Sequence, residues 1–309
     1  MLFTNFYALC QRLRARARLV LLLLAASPAA HAADYYWVGG SGRWDDLSHW
    51  ATSSGGSAAY TQVPQNTDDV HFDANSFSAS NQTVTIGATV TCHDLDWTGA
   101  VRTPAGGAVV NGMRLVGSGT VEVNGSLRLA AGLGQQDVNF RMLATSGVQE
   151  LDLQAVPLNG WLSFESEGGN WTFGSDVNLV QYGATPSLLL LAGSVDFSTV
   201  TVSCYGVRST GSRSRAIYLG SSVFNLLGPN NAWELSGTKL YLDADASTLR
   251  LGNAARGSAN AFSFSSSELT YNAVEVLAGA SATFGVANSV VKMLTVKGTA
   301  TFTSPATIA

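Results

Sequence analysis

The sequence predicts an all-β chain: a β-solenoid of short strands behind a tryptophan-rich N-terminal cap, with tandem β-sandwiches as the alternative. Three observations carry this expectation. Helical periodicity is almost absent after residue 33. Apolar and polar residues instead alternate in runs of about four to six, bounded by Gly, Asn, Ser or Asp, as strands with one buried face do. The runs are also too many and too closely spaced for one small sandwich.

In chain order, "GTVEVNGSLRLAAG" alternates through Val121, Val123, Leu127 and Leu129, with a turn at Asn124-Gly125. Leu151 and Leu153 follow in "VQELDLQ". "LLLLAG", Leu188 to Gly193, is the one continuous apolar run after residue 33 and predicts a strand buried on both faces. Leu240, Leu242, Leu249 and Leu251 form the next set, then Phe262 and Phe264, then Val274 and Val276. Very short strands, turns poor in Pro, and Asn, Ser and Thr in those turns favour stacked coils of about 20 to 25 residues over sandwiches.

The chain divides into residues 1–32, 33–100 and 101–309. The first part reads as a secretory signal peptide. Arg12, Arg14, Arg16 and Arg18 precede the apolar run Leu19 to Ala26, and Ala30-His31-Ala32 gives a small-residue cleavage pattern before Ala33. That run is shorter than the roughly 20 residues a spanning helix needs, and no later stretch qualifies. The expected location is therefore secreted, extracellular or on the outer cell surface. Cleavage removes four of the 17 basic residues and none of the 21 acidic ones, leaving a net charge of −8. Such a chain argues against nucleic acid as a partner, since phosphate contacts need clustered Lys and Arg.

Residues 33–100 hold the cap and first coils. "DYYWVGGSGRWDDLSHW" places Trp37, Trp44 and Trp50 at the start of the mature chain. They could form a ligand platform or a plug. Terminal coils expose backbone and core to water, and large aromatic side chains bury about 150–250 Å² each, so the plug is the expected role. Residues 101–309 supply the remaining coils. Cys92 and Cys204 remain after cleavage. With roughly 22 residues and about 4.8 Å per coil they lie near 24 Å apart, beyond the roughly 7 Å Cα separation a disulfide tolerates, so both are expected to be free thiols.

Trp37-Val38-Gly39-Gly40, Trp44, Trp50, Pro64 and Asp68-Asp69-Val70-His71-Phe72-Asp73 together resemble the opening module of secreted bacterial β-solenoid surface proteins. Autotransporter-like passenger proteins carry a similar opening. The stretch from Phe262 to Phe302 looks like coils of adhesin-like proteins exported by type IX secretion. The resemblance implies a secreted or cell-surface structural protein of adhesin type, without catalytic activity. Such proteins end in a C-terminal sorting domain. This chain stops in "TATFTSPATIA", which predicts truncation at the C-terminus.

Candidate chemistry is sparse. His49, His71 and His93 recur at a spacing of 22, but stacked coils would string them along a line, not converge them on a metal. The paired acids read first as solvated turn aspartates, with no cofactor expected; were calcium to bind, Asp68, Asp69 and Asp73 are the first place for it, since it takes oxygen ligands in extracellular acidic loops. Arg208, Arg213 and Arg215 in "RSTGSRSR" predict an exposed basic loop able to pair with an acidic glycan. No nucleophile elbow, HExxH or phosphate loop is present. The alternative function is an extracellular β-helix that binds or cleaves polysaccharide. An exposed groove with Trp161 or Trp171 beside an Asp/Arg cluster would favour it. Partners are therefore expected to be an extracellular glycan or a surface protein.

Overall fold

The structure is a computed structural model that describes residues 32–103, 108–180, 187–228, 231–252 and 260–309. Apart from its last residue, the expected signal peptide lies outside them. Residues Ala33–Ala309 form one compact unit. It is all-β: no α-helix occurs among the described residues, and a single 3-10 turn spans Leu47–His49.

The strands join into two hydrogen-bonded sheets, of 20 and 8 strands. Among the described residues every strand pairing is parallel except one. Trp50–Ala51 runs antiparallel to the first strand, Asp34–Trp37, which pairs on its other side with Asp69–His71 in parallel. The smaller sheet shows the parallel order plainly. Val177 pairs with Val202, Val202 with Phe224, Phe224 with Leu249, Leu249 with Val274 and Val274 with Leu294. Each strand thus sits against the one roughly 20 to 25 residues on. Between Leu95 and its partner Leu127 the step is longer. Within that step Arg102 and Val110 form an antiparallel bridge, each N–H donating to the other's carbonyl.

Alternation becomes burial. Val121, Val123, Leu127, Leu129, Leu151, Leu153, Phe262, Phe264, Val274 and Val276 all lie in one continuous core. Aromatic rings continue it from strand to strand. Phe173 stacks on Phe197 at 4.9 Å, Phe197 meets Phe224 at 4.9 Å, and Phe224 meets Trp233 at 5.5 Å. Trp233, Phe264, Phe284 and Phe302 extend the series at 6.0, 5.4 and 5.0 Å. These separations fall in the range where aromatic pairs attract beyond their buried area.

Two expectations need correction. The "LLLLAG" strand is not buried on both faces: Leu188, Leu190 and Ala192 point into the core, while Leu189 and Leu191 are only half-buried. Alternation along the strand puts Leu189 and Leu191 on the outer face of the sheet, away from the core. Leu240 and Leu242 are half-buried edge members of the core, unlike the fully buried Leu249 and Leu251.

Cys92 and Cys204 are free thiols, both buried. Burial raises the Cys204 pKa from its ordinary 9.0 to about 12 and moves Cys92 in the same direction. Raised folded pKa values give stability that is fully present below the unfolded value and disappears as pH climbs through the folded one. Unfolding free energy should therefore fall between about pH 9 and pH 12, and a Cys92→Ala/Cys204→Ala variant should show a shallower decline. A thiol reagent should leave both cysteines unmodified at pH 8 until denaturant is added; fast labelling of the native protein would contradict their burial.

Candidate functional site

Trp37, Trp44 and Trp50 are 0–1% exposed, so no ligand can lie on their faces. Trp50 meets Trp37 edge-on at 5.0 Å and Trp44 at 4.9 Å, and Phe72 stacks on Trp97 at 3.8 Å beneath them. The Trp37 indole N–H donates to the Gly40 carbonyl at 2.7 Å, and that of Trp50 to the Trp44 carbonyl at 2.8 Å. His49 stacks flat on Trp37, at 4.5 Å and 4°, with its Nδ1 2.6 Å from the Val38 carbonyl oxygen. A Cβ on Gly42 would lie 2.0 Å from the imidazole Nε2, so only glycine leaves room for it.

The three candidate calcium ligands are not brought together as one set among the described residues. Asp68 is buried, and its two oxygens accept from the backbone N–H of Ala33 and Gln65 at 3.1 and 2.8 Å. Asp73 caps its own turn, accepting from the Asn75 N–H at 2.8 Å. Asp69 instead meets His93 at 2.9 Å, with Asp94 3.4 Å from the same imidazole nitrogen. The sequence placed His93 in a histidine column, yet His71 pairs with Asp96 along the sheet and its ring bonds Asp34 at 2.9 Å. The three histidines therefore part company. In the Asp69–His93–Asp94 group the Asp69 oxygen also accepts the Asp94 N–H, and Asp94 Oδ1 accepts the Ser126 N–H at 2.7 Å. Arg128 lies 3.6 Å from the other Asp94 oxygen. The Asp69 Oδ1 and both Asp94 oxygens are thus already engaged by backbone N–H groups, His93 and Arg128.

The basic cluster is not one exposed loop. Arg208 lies on the strand Val207–Ser209 and bonds Glu234 at 2.8 Å. Arg215 opens the strand Arg215–Tyr218 and is 3% exposed. Its guanidinium donates to the carbonyls of Gly211, Arg213, Ser236 and Thr238 and to the Ser209 hydroxyl. Burial without a facing carboxylate lowers its pKa from the usual arginine value. Only Arg213 is exposed, with Nη1 donating to the Glu165 carbonyl at 3.0 Å. Strand alternation, which turned Arg208 outward and Arg215 inward, broke up the patch.

Trp171 is likewise a core residue, 0% exposed, with Phe164 edge-on at 5.0 Å. Trp161 is half-buried, and the Arg141 guanidinium lies over its ring at 5.8 Å. That arginine is itself held by Glu122 at 2.9 Å and Glu165 at 3.3 Å. Of the aromatic-and-charge groove expected for a polysaccharide, Trp161 and an arginine are present, but the arginine occupies the ring face.

No family model, curated protein or solved structure matches the chain.

One feature of the chain's surface escaped the sequence reading. Tyr218 and Tyr241 are 39% and 53% exposed, and their ring centroids are 5.6 Å apart at an interplanar angle of 53°. The signal was available: in "RAIYLG" and "TKLYLDAD" each tyrosine occupies the outward phase, between Ile217 and Leu219 or between Leu240 and Leu242. No helix among the described residues is long and apolar enough to cross a membrane.

Proposed function

We propose that the chain is a β-solenoid module of a secreted or cell-surface protein, structural and adhesin-like, with its tryptophan-rich start as the N-terminal cap. The supporting observation is the pairing of the first strand. Every other strand pairing among the described residues is parallel, and here one antiparallel strand, Trp50–Ala51, lies along Asp34–Trp37. Trp37, Trp44 and Trp50 fill the space behind it. A stack of parallel strands needs its first edge covered, because unpaired N–H and C=O groups invite another chain. The outward charges fit the same reading. Arg141 with Glu122, Arg208 with Glu234, and Arg250 with Glu275 join neighbouring strands, which suits a durable extracellular scaffold.

The test is made in a bacterium expressing the full chain. A product beginning at Ala33, digestible by protease added to intact cells, is expected, together with greater attachment of those cells to surfaces or to one another. A chain kept inside the cell with Met1 intact, or unchanged attachment, would end the reading. Small-angle scattering of the purified protein should show an elongated particle, and a spherical profile would count against the solenoid.

A further inference from the structure

We propose that Tyr218 and Tyr241, with Asp196 and Asp243 beside them, bind a polysaccharide built of amino sugars that carry free ammonium groups. The inference goes beyond the surface-module reading, and binding by purified protein can fail while that reading stands.

Sheet pairing sets the geometry. Asp196 pairs with Tyr218, and Tyr218 with Asp243, so a carboxylate lies on each side of the first ring in one outward column. The neighbouring column runs Asn170, Ser194, Ala216, Tyr241. Small and polar residues therefore continue the face away from the rings. Ala216 leaves the space between the columns low, so both rings stand above the sheet. Their 5.6 Å separation is close to the strand spacing of about 4.8 Å. A chain laid across the strands would thus meet one ring after another, and a pyranose presents apolar C–H faces at a comparable repeat. The 53° tilt opens a notch in place of a flat shelf, which also lets a cation approach both ring faces.

Charge selects the class of sugar. Among the described residues, neither Asp196 nor Asp243 takes part in an ion pair. Asp196 Oδ1 accepts from the Ser198 N–H at 2.8 Å, and Asp243 Oδ1 from the Asp245 N–H at 3.2 Å. Each carboxylate is oriented through one oxygen and open at the other. The tyrosine hydroxyls make no hydrogen bond with the described residues. Two exposed rings, two uncompensated carboxylates and two free hydroxyls describe a site for something cationic with apolar faces and hydroxyl groups. Trp161 does not offer this, because Arg141 already covers its ring.

Titration of the purified protein with a glucosamine hexamer, at mildly acidic pH where the sugar amines are charged, tests the proposal. Binding is expected, weakening as salt rises, with the N-acetylated hexamer about tenfold weaker or more. Tyr218→Ala/Tyr241→Ala should weaken binding by about tenfold or more, since stacking and cation–π contacts go together. Asp196→Asn/Asp243→Asn should weaken it and flatten the salt dependence. All four side chains face outward, so the variants should keep the parent circular dichroism spectrum. The aspartate pair also tests the site independently of the rings. No binding of the glucosamine hexamer, equal binding of the two hexamers, or parent-like binding by both double variants would overturn the proposal.

Discussion

Trp50→Ala should lower the free energy of unfolding by about 3–5 kcal/mol, the range for truncating a fully buried large aromatic. Trp50 is 0% exposed and central to its cluster, with Tyr35 at 5.8 Å, Trp37 at 5.0 Å and Trp44 at 4.9 Å. Truncation removes these edge-on contacts together and strands the Trp44 carbonyl that its indole N–H had satisfied. The lost volume lies behind the antiparallel pairing of Trp37 with Trp50, so the first strand loses its backing. Denaturant titration gives the loss. Hydrogen exchange should show it first in the amides of Asp34–Trp37. A change under about 1 kcal/mol would mean that the cluster is loosely packed and the cap proposal misplaced.

The second large effect is expected at Arg215. Its five N–H donors meet five neutral acceptors at 2.8–3.3 Å. The residue stitches the loop through Gly211 and Arg213 to the next strand's approach at Ser236 and Thr238. Arg215→Leu would leave the Ser209 hydroxyl and four carbonyls without this donor, at about 1–3 kcal/mol for each that water cannot reach, so a total loss of about 3 kcal/mol is expected. Arg215→Lys should not rescue it, because a compact ammonium with three donors cannot span the fork. Thermal and denaturant unfolding of both variants decide the matter. A lysine variant as stable as the parent would show that charge, not the geometry of the fork, is what the site requires.

The all-β class was legible because alternation is a local property. Val121, Leu151, Phe264 and Val274 could be assigned inward from their immediate neighbours, and each is buried. What alternation did not reveal was which strands share an edge. The histidine spacing of 22 suggested a column, yet His71 lies beside Asp96 while His93 meets Asp69. The unequal step from Leu95 to Leu127 depends on an excursion that no short window can measure. Charged candidates failed for a related reason. Arg208 and Arg215 look alike in "RSTGSRSR", but the strand phase on either side of the loop sends one outward to Glu234 and the other into the interior. Trp161 and Trp171 differ in the same way.

Those paired charges carry a consequence for how the strands find one another. Alternation alone cannot tell correct alignment from a slip of two residues, because both keep apolar side chains inward. Arg141 and Glu122, Arg208 and Glu234, and Arg250 and Glu275 are direct partners across neighbouring strands. A one-residue slip would turn Arg250 into the place of the buried Leu249 or Leu251. A two-residue slip would keep it outside but part it from Glu275. Each pair is worth only about 0.2–1 kcal/mol toward stability, yet that difference falls on the error hydrophobicity overlooks. The ion pairs act as alignment marks: they say little about how firmly the strands hold and much about where each one stops.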